Sequence, residues 1–206
     1  MTKRISIFGE DGFTNITLAH SLSMQGLDVI GETDNESVAW NFISQHQPDV
    51  AVLNIDFGHI KAINLATILR KKYPDLGLVL TCKTEDIRLL GIDLKTLPIG
   101  IVVARLAKHN DLDGLKEAIL SSVNLVKGEL KPRIHYELSE VQIETFRLMA
   151  EGKANSEIAK MRFVSEKSVE QMLARIAISM GLDFDRKHNQ RVRLTNTYYE
   201  LINGRR

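Results

Sequence analysis

The stretch Pro48-Asp49-Val50-Ala51-Val52-Leu53-Asn54 has the composition of a strand buried inside a parallel sheet. A proline, which ends a preceding helix, comes first, and four consecutive apolar side chains follow the aspartate. Strands of parallel sheets have such uninterrupted apolar runs because helices cover both faces of the sheet. The stretch therefore predicts a strand with Asn54 at its carboxyl end.

Short apolar segments alternate with helical ones through the first 126 residues, which predicts five β-α repeats in a doubly wound, five-stranded parallel sheet. The predicted strands are Ile5–Phe8, Leu27–Gly31, Asp49–Asn54, Leu76–Thr81 and Ile99–Val103. The predicted helices are Phe13–Met24, Ser37–Ser44, Ile60–Tyr73, Glu85–Leu90 and Leu112–Leu125. In the second of these helices we expect Val38 and Phe42 to face inward, with Trp40 as a further candidate.

The composition is that of an ordinary globular protein, with 44% hydrophobic and 26% charged residues among 206. This length leaves room for one large domain or two modest ones. No apolar run approaches the roughly 20 residues that a membrane-spanning helix needs, and no secretory signal is visible at the N-terminus. The single cysteine, Cys82, excludes an internal disulfide and fits a reducing compartment. We therefore expect a cytoplasmic protein with no membrane partner.

Charge divides unevenly along the chain. Residues 1–126 hold 12 basic and 15 acidic side chains, whereas residues 127–206 hold 15 basic and 11 acidic ones. Residues 127–137 are polar with one glycine and one proline, which predicts a linker between domains at 1–126 and 138–206. Four helices fit the second domain: Glu140–Glu151, Ser156–Met161, Glu166–Met180 and Arg186–Ile202. The basic excess suggests that only this second domain meets a polyanion.

Polar side chains follow three of the predicted strands at their carboxyl ends, where parallel sheets hold ligands. Glu10 and Asp11 follow the first strand, Asn54 ends the third, and Thr81 ends the fourth. This set, together with "PDVAVLN" in the third strand, resembles the flavodoxin-like receiver domain of bacterial two-component response regulators. The resemblance implies that Glu10 and Asp11 are the carboxylates of a Mg²⁺ site. It further implies that Asn54 occupies the phosphate-acceptor position and that Thr81 is the switch hydroxyl.

The chain departs from the receiver pattern in its reactive groups. An aspartate carboxylate can attack a phosphoryl donor and form an acyl phosphate, whereas the neutral carboxamide of Asn54 cannot. Losing this carboxylate also weakens the expected metal site, since hard cations prefer anionic oxygens. Asp56 is a substitute acceptor to be considered, and only Arg105 or Lys108 stands near the place of the receiver lysine. A deliberate Asp-to-Asn change would give the same residue 54, but the other departures favour natural degeneration.

Residues 138–182, LSEVQIETFRLMAEGKANSEIAKMRFVSEKSVEQMLARIAISMGL, are similar to the C-terminal helix-turn-helix domain of LuxR/NarL-type regulators. The matching positions are Leu138, Glu144, Leu148, Ala150, Gly152, Asn155, Glu157, Ile158, Ala159, residues 164–169, Ile176 and Gly181. The resemblance implies an all-α domain of four helices that binds double-stranded DNA. It also implies a homodimer, because inverted half-sites match a two-fold protein.

The predicted recognition helix has one buried face and one exposed face. Its N-cap is Ser165, and an apolar stripe follows at helical spacing: Val169, Met172, Leu173, Ile176 and Met180. The residues expected to face DNA are Lys167, Ser168, Glu170, Gln171, Ala174 and Arg175. Many relatives have a basic residue in place of Glu170, whose carboxylate either repels phosphate or accepts from a cytosine amino group. On the last helix, Arg191 and Arg193 belong to a basic face that we expect to contact backbone phosphates.

These patterns predict an atypical response regulator that binds DNA and controls transcription without aspartyl phosphorylation. The receiver-like domain would then take its input from a protein partner or from a small ligand, or have none beyond concentration. The alternative is a protein-interaction module whose degenerate receiver docks a partner and whose helical domain does not bind DNA productively. The sequence has no nucleophile–base–acid set, no glycine-rich phosphate loop and no metal-ligand spacing of His and Cys, so an enzyme is not expected.

Overall fold

A computed structural model describes residues 3–55, 59–84, 86–107, 111–125, 138–182 and 189–204. The chain divides into two compact units. The first contains a β-sheet with its helices, and the second contains the segment Thr84–Leu94 together with the C-terminal helices. Within the described ranges, no helix combines the length and the apolar character needed to cross a bilayer.

The first unit is built on a five-stranded parallel sheet, as the apolar runs predict. Its strands are β1 (Arg4–Phe8), β2 (Asp28–Thr33), β3 (Val50–Asn54), β4 (Gly77–Cys82) and β5 (Ile101–Arg105), in the spatial order β2-β1-β3-β4-β5. Its helices are α1 (Gly12–Met24), α2 (Glu36–His46), α3 (His59–Lys72) and α4 (Asp111–Leu125). All five residues of the central strand β3 are buried, which explains its uninterrupted apolar run.

Strand register brings the polar ends of two strands together. In the parallel pairing of β3 with β4, Asn54 lies opposite Thr81. On the other side of β3, Leu53 lies opposite Phe8, so that Gly9 and Glu10 follow directly at the same edge. The predicted convergence of these strand ends is therefore confirmed.

The link between β4 and β5 contains two short 3-10 helices, Ile87–Leu90 and Leu94–Thr96, and the first of them lies within the short helix that the sequence predicts at Glu85–Leu90. One prediction for α2 was wrong, because its inward side chains are Ala39 and Ile43, while Val38 is 50% exposed.

The inward face of α2 is displaced because of a close approach to β2. The ring of Phe42 packs so tightly on Gly31 that a Cβ there would lie 2.6 Å from the ring carbon Cζ. Phe42 is partly buried, and its ring covers Gly31 of β2. Trp40, the further candidate, is also partly buried and lies near Tyr73 with ring centroids 6.2 Å apart.

The second unit contains four helices around one apolar core. They are α5 (Glu140–Ala150), α6 (Asn155–Met161), α7 (Glu166–Ser179) and α8 (Gln190–Ile202). Phe146 is fully buried at the centre, and its ring meets Tyr198 edge-on with centroids 5.2 Å apart. The predicted start of the last helix at Arg186 was wrong, because Asn189 has an extended backbone and caps a helix that begins at Gln190. The predicted linker 127–137 lies outside the described residues, so the domain boundaries stay a prediction.

The segment Thr84–Leu94 is an integral part of this second core. Leu89 is buried in the same cluster as Phe146, and its carbonyl accepts a hydrogen bond from the Tyr198 hydroxyl. The Arg88 guanidinium donates to the carbonyl of Leu138 at 2.7 Å. It also forms an ion pair of 2.7 Å with Asp86, and both side chains of that pair are largely buried. Backbone, salt-bridge and apolar contacts thus hold this segment in the helical unit.

Candidate functional site

Asp11, predicted as a metal ligand, is the N-cap of helix α1. One carboxylate oxygen accepts from the backbone N–H of Phe13 at 3.1 Å, and the other accepts from the Thr14 hydroxyl at 2.5 Å. The hydrogen bond from Thr14 is the main cause that holds the pKa of Asp11 below its ordinary value. Both oxygens are therefore engaged in starting the helix.

Glu10, the other predicted metal ligand, is exposed and forms an ion pair with Lys61 of helix α3. The Lys61 ammonium lies 2.8 Å from one carboxylate oxygen of Glu10. This hydrogen bond raises the pKa of Lys61 above its ordinary value. A side-chain cation of the protein thus already neutralises one of the two carboxylates.

Asn54 and Thr81 form a buried polar pair at the end of the central strands. Asn54 is 7% exposed, and its amide oxygen accepts a hydrogen bond of 3.1 Å from the Thr81 hydroxyl. The next residue, Ile55, continues the ladder by donating its N–H to the Thr81 carbonyl at 2.7 Å. The predicted acceptor position and switch hydroxyl are therefore in direct contact, with an amide in place of a carboxylate.

A second buried amide, Asn15, adjoins this pair and was missed in the sequence. Its Nδ2 donates to the carbonyls of Gly9 at 2.7 Å and Thr33 at 3.0 Å, so it joins the ends of β1 and β2. A Cβ at Gly9 would lie 2.7 Å from both the Asn15 amide oxygen and the Cβ of Asn54. The available signal was the position of Asn15 three and seven residues before Leu18 and Leu22 on the buried stripe of α1.

These residues fit Mg²⁺ poorly. Glu10 is paired with Lys61, Asp11 caps a helix, and Asn54 supplies a neutral amide that is already hydrogen-bonded. The described residues contain no group of three or more His, Cys, Asp or Glu side chains placed to hold a metal ion. Arg105 ends β5 opposite Cys82. The substitute acceptor Asp56 and the alternative lysine, Lys108, lie outside the described residues.

A tight turn in the helical unit joins α6 to α7. At the end of α6, the N–H of Val164 donates to the Ala159 carbonyl at 3.0 Å and that of Phe163 to the Lys160 carbonyl at 3.4 Å. This is the pattern of a Schellman cap, with Phe163 in the left-handed region at φ 54°. Ser165 then caps α7 by accepting from the N–H of Ser168 at 3.1 Å.

Helix α7 has the two faces that its sequence predicts. Val169, Leu173 and Ile176 are buried, and the stripe is completed by the partly buried Met172 and Met180. The exposed residues of α7 are Glu166, Lys167, Ser168, Glu170, Gln171, Arg175, Ile178 and Ser179, with Ala174 half-buried among them. The Ser168 hydroxyl lies 2.8 Å from that of Ser165 and so takes part in the cap. Contact of this face with DNA stays a prediction.

Arg191 has a structural task within the helical unit. Its guanidinium donates to the Asn155 side chain at 2.9 Å, to the Met149 carbonyl at 3.4 Å and to the Lys153 carbonyl. These bonds tie the start of α8 to the turn between α5 and α6. Arg193 lies on the same helix and is half-buried. A phosphate contact by either arginine stays a prediction.

Known proteins similar to this chain are transcriptional regulators. DevR/DosR, a DNA-binding transcriptional activator of Mycobacterium tuberculosis, is 26% identical over 76% of this chain and 78% of its own length. DegU, a transcriptional regulatory protein of Brevibacillus brevis, is 20% identical over the same shares. No protein-family model matches the chain. The chain is thus similar to NarL/LuxR-type response regulators.

Solved response-regulator structures share the fold of this chain. The response regulator RcsB, solved in a complex with DNA, aligns over 98% of this chain and 100% of its own, with a TM-score of 0.56 and 20% identity. A second structure, of two RcsB dimers bound to two parallel DNAs, aligns over the same shares with a TM-score of 0.55 and 18% identity. The predicted receiver-like sheet followed by a helical domain is confirmed as the fold class.

Proposed function

We propose that this chain is a DNA-binding transcriptional regulator that inserts helix α7 into the major groove. The observation that carries the proposal is the geometry of α7, which follows a tight turn, buries one face and exposes the other. Lys167, Gln171 and Arg175 lie one helical turn apart on that exposed face. Gln and Arg side chains can read base edges in the major groove, and Lys can neutralise a phosphate.

The other exposed positions of α7 have narrower roles in this proposal. The backbone of Ser168 lies in the first turn of α7, where the positive end of the helix favours a phosphate. Ala174 is small enough to let the helix approach the groove, and its methyl group can contact a thymine methyl. Glu170 accepts from a cytosine amino group and disfavours other bases at that place. Arg191 and Arg193, in the first turn of α8, contact backbone phosphates in this proposal.

The regulator acts on DNA as a homodimer in this proposal. RcsB, which shares the fold, was solved as dimers bound to DNA. A two-fold protein matches inverted half-sites, since each subunit then meets an equivalent sequence. Sedimentation of the chain with and without duplex measures the stoichiometry, and a single subunit on each duplex would contradict the dimer.

The receiver-like unit works without aspartyl phosphorylation in this proposal. An amide at position 54 cannot form an acyl phosphate, and it already accepts a hydrogen bond from Thr81. Input then comes from a protein partner or a small ligand that shifts the population of conformers. The regulator works in the cytoplasm and is not an enzyme. Intact mass after incubation with acetyl phosphate and Mg²⁺ is expected to be unchanged, and a stable phosphoryl adduct would contradict this part.

Salt-dependent binding to duplex DNA tests the main proposal. The logarithm of the affinity of the full chain is expected to fall linearly with the logarithm of salt concentration, by about 0.9 for each neutralised phosphate. Arg175→Gln is expected to weaken binding to a selected sequence by about tenfold, as for the loss of a base contact. The matched control is Lys71→Gln, which removes one exposed charge at the end of α3 and is expected to change little. No binding to any duplex in dilute buffer, or equal losses in both variants, would contradict the proposal.

A further inference from the structure

An arginine outside the predicted DNA-facing set holds the turn that precedes α7. Arg162 is the C-cap of α6, and its side chain reaches back to α5 with only 14% of its surface exposed. Its Nη1 donates to the Val141 carbonyl at 3.0 Å and to the hydroxyl of Thr145. Its Nε lies 3.6 Å from a carboxylate oxygen of Glu144.

The partner groups on α5 form a closed network with this guanidinium. Thr145 is fully buried, and its hydroxyl donates to the Val141 carbonyl at 2.8 Å while it accepts from Arg162. The arginine therefore donates to a buried hydroxyl oxygen whose own hydrogen is already engaged by the Val141 carbonyl. A planar guanidinium can donate to the Val141 carbonyl and the Thr145 hydroxyl from one edge and face the Glu144 carboxylate with another. The single nitrogen of a lysine does not have this geometry.

The backbone that this network holds is unfavourable by itself. The next residue, Phe163, has φ 54°, a conformation in which a side chain with a Cβ is strained. The side chain of Phe163 is 96% exposed, so it gains almost no burial to offset the strain. The turn therefore depends on the contacts of its neighbours, and Arg162 supplies the bonds to the adjacent helix. Three residues after Arg162, Ser165 caps α7 and so fixes where that helix begins.

We propose that Arg162 is a positioning residue for the DNA-facing surface of α7. Its guanidinium fixes the end of α6 to Val141, Thr145 and Glu144 of α5, and the strained turn transmits this fixed position to the N-cap of α7. The inference rests on the proposed DNA binding and adds a residue that does not itself touch DNA. Recognition of a particular DNA sequence requires that the side chains of α7 align with base edges, so it depends on Arg162. General attraction of the protein to phosphates does not depend on Arg162.

The experiment uses the full chain and short labelled duplexes. A duplex enriched by the unaltered chain from a pool with a randomised centre is compared with a shuffled duplex of the same composition. Arg162→Lys and Arg162→Gln are both expected to bind the enriched duplex about tenfold more weakly, equivalent to one lost base contact. Binding of either variant to the shuffled duplex, and its salt slope, are expected to match the unaltered chain.

Variants of the partner residue separate positioning from general damage. Thr145→Ser keeps the hydroxyl and is expected to behave like the unaltered chain. Thr145→Val removes the acceptor and is expected to lose sequence preference like Arg162→Gln, with far-UV circular dichroism unchanged. Arg147→Gln is a charge-matched control, because Arg147 lies on α5 and pairs only with Glu151 among the ion pairs of the described residues.

The outcomes distinguish the inference from the proposed function. A direct phosphate contact would give a different result: Arg162→Lys would bind normally, and Arg162→Gln would bind both duplexes more weakly. The slope of log affinity against log salt concentration would also become shallower by about 0.9 in Arg162→Gln. This result would overturn the positioning role. Unchanged binding in every variant also overturns it, with the proposed function intact. No duplex binding by the unaltered chain overturns the proposed function and the role of Arg162 together.

Discussion

Replacing Phe163 with glycine is expected to stabilise the helical unit by about 1 kcal/mol, because an L-residue with a Cβ pays about that much in the left-handed region. The value follows from two observations at this position. Phe163 has φ 54°, and its side chain is 96% exposed, so glycine relieves the strain and removes almost no buried apolar surface. Glycine is also the residue that helices most often have at this position after their C-cap.

Gly152, after α5, offers the matched reverse substitution. It has φ 91°, and a Cβ added there would meet no atom within 4 Å. Gly152→Ala is therefore expected to destabilise the same unit by about 1 kcal/mol through backbone strain alone. Phe163→Ala keeps the strain and is expected to change stability by less than half as much as Phe163→Gly.

Urea unfolding followed by two probes measures these changes. Far-UV circular dichroism reports on the helices, while the single tryptophan, Trp40 in α2, reports on the first unit. In thermal unfolding, the same gain of about 1 kcal/mol would raise the melting temperature of a domain this small by roughly 4–8 °C. The reasoning is refuted if Phe163→Gly is no more stable than the unaltered chain, or if Phe163→Ala gains as much.

Three further predictions concern the two cores. Phe146→Ala is expected to cost the helical unit about 3–5 kcal/mol, since Phe146 is fully buried, and a smaller loss in urea unfolding would mean that the core refills the space. Burial raises the pKa of Tyr198 to about 12, so stability is expected to fall as pH rises from about 10, the unfolded value, toward 12. Tyr198→Phe should show a flatter decline over that window, and equal slopes would contradict the assignment. Asn54→Asp is expected to remain unphosphorylated by acetyl phosphate with Mg²⁺, because Glu10 stays paired with Lys61; a mass gain of one phosphoryl group would show that the amide is the sole block.

Much of the fold follows from local patterns in the sequence. The apolar run that ends at Asn54 predicts a strand. The polar ends of parallel strands meet at one edge of the sheet, where Asn54 lies beside Thr81. Ser165 and the apolar stripe of α7 likewise follow from residue type and spacing. These features depend on a single element and its period, which a sequence displays directly.

The features that the sequence did not show depend on contacts with other elements. The inward face of α2 is set by Gly31, whose missing side chain admits the ring of Phe42. Arg162 resembles any surface arginine until Thr145, 17 residues earlier, is known to be buried beside it. The bonds of Arg191 to Asn155 and to the Met149 carbonyl are likewise not visible in the sequence, while its predicted phosphate contact stays a prediction. In each case a long polar or aromatic side chain finds a neighbour that periodicity does not reveal.

The segment Thr84–Leu94 has a consequence for attempts to recombine this protein. A gene fragment that starts near Leu138 would encode all four C-terminal helices and yet lack Leu89, a member of their own core. In such a fragment the apolar side chains that contact Leu89 would be exposed, and the Tyr198 hydroxyl would lack the Leu89 carbonyl as its acceptor. A fusion of the C-terminal helices to another protein, whether engineered or produced by genome rearrangement, therefore needs the segment Thr84–Leu94 as well.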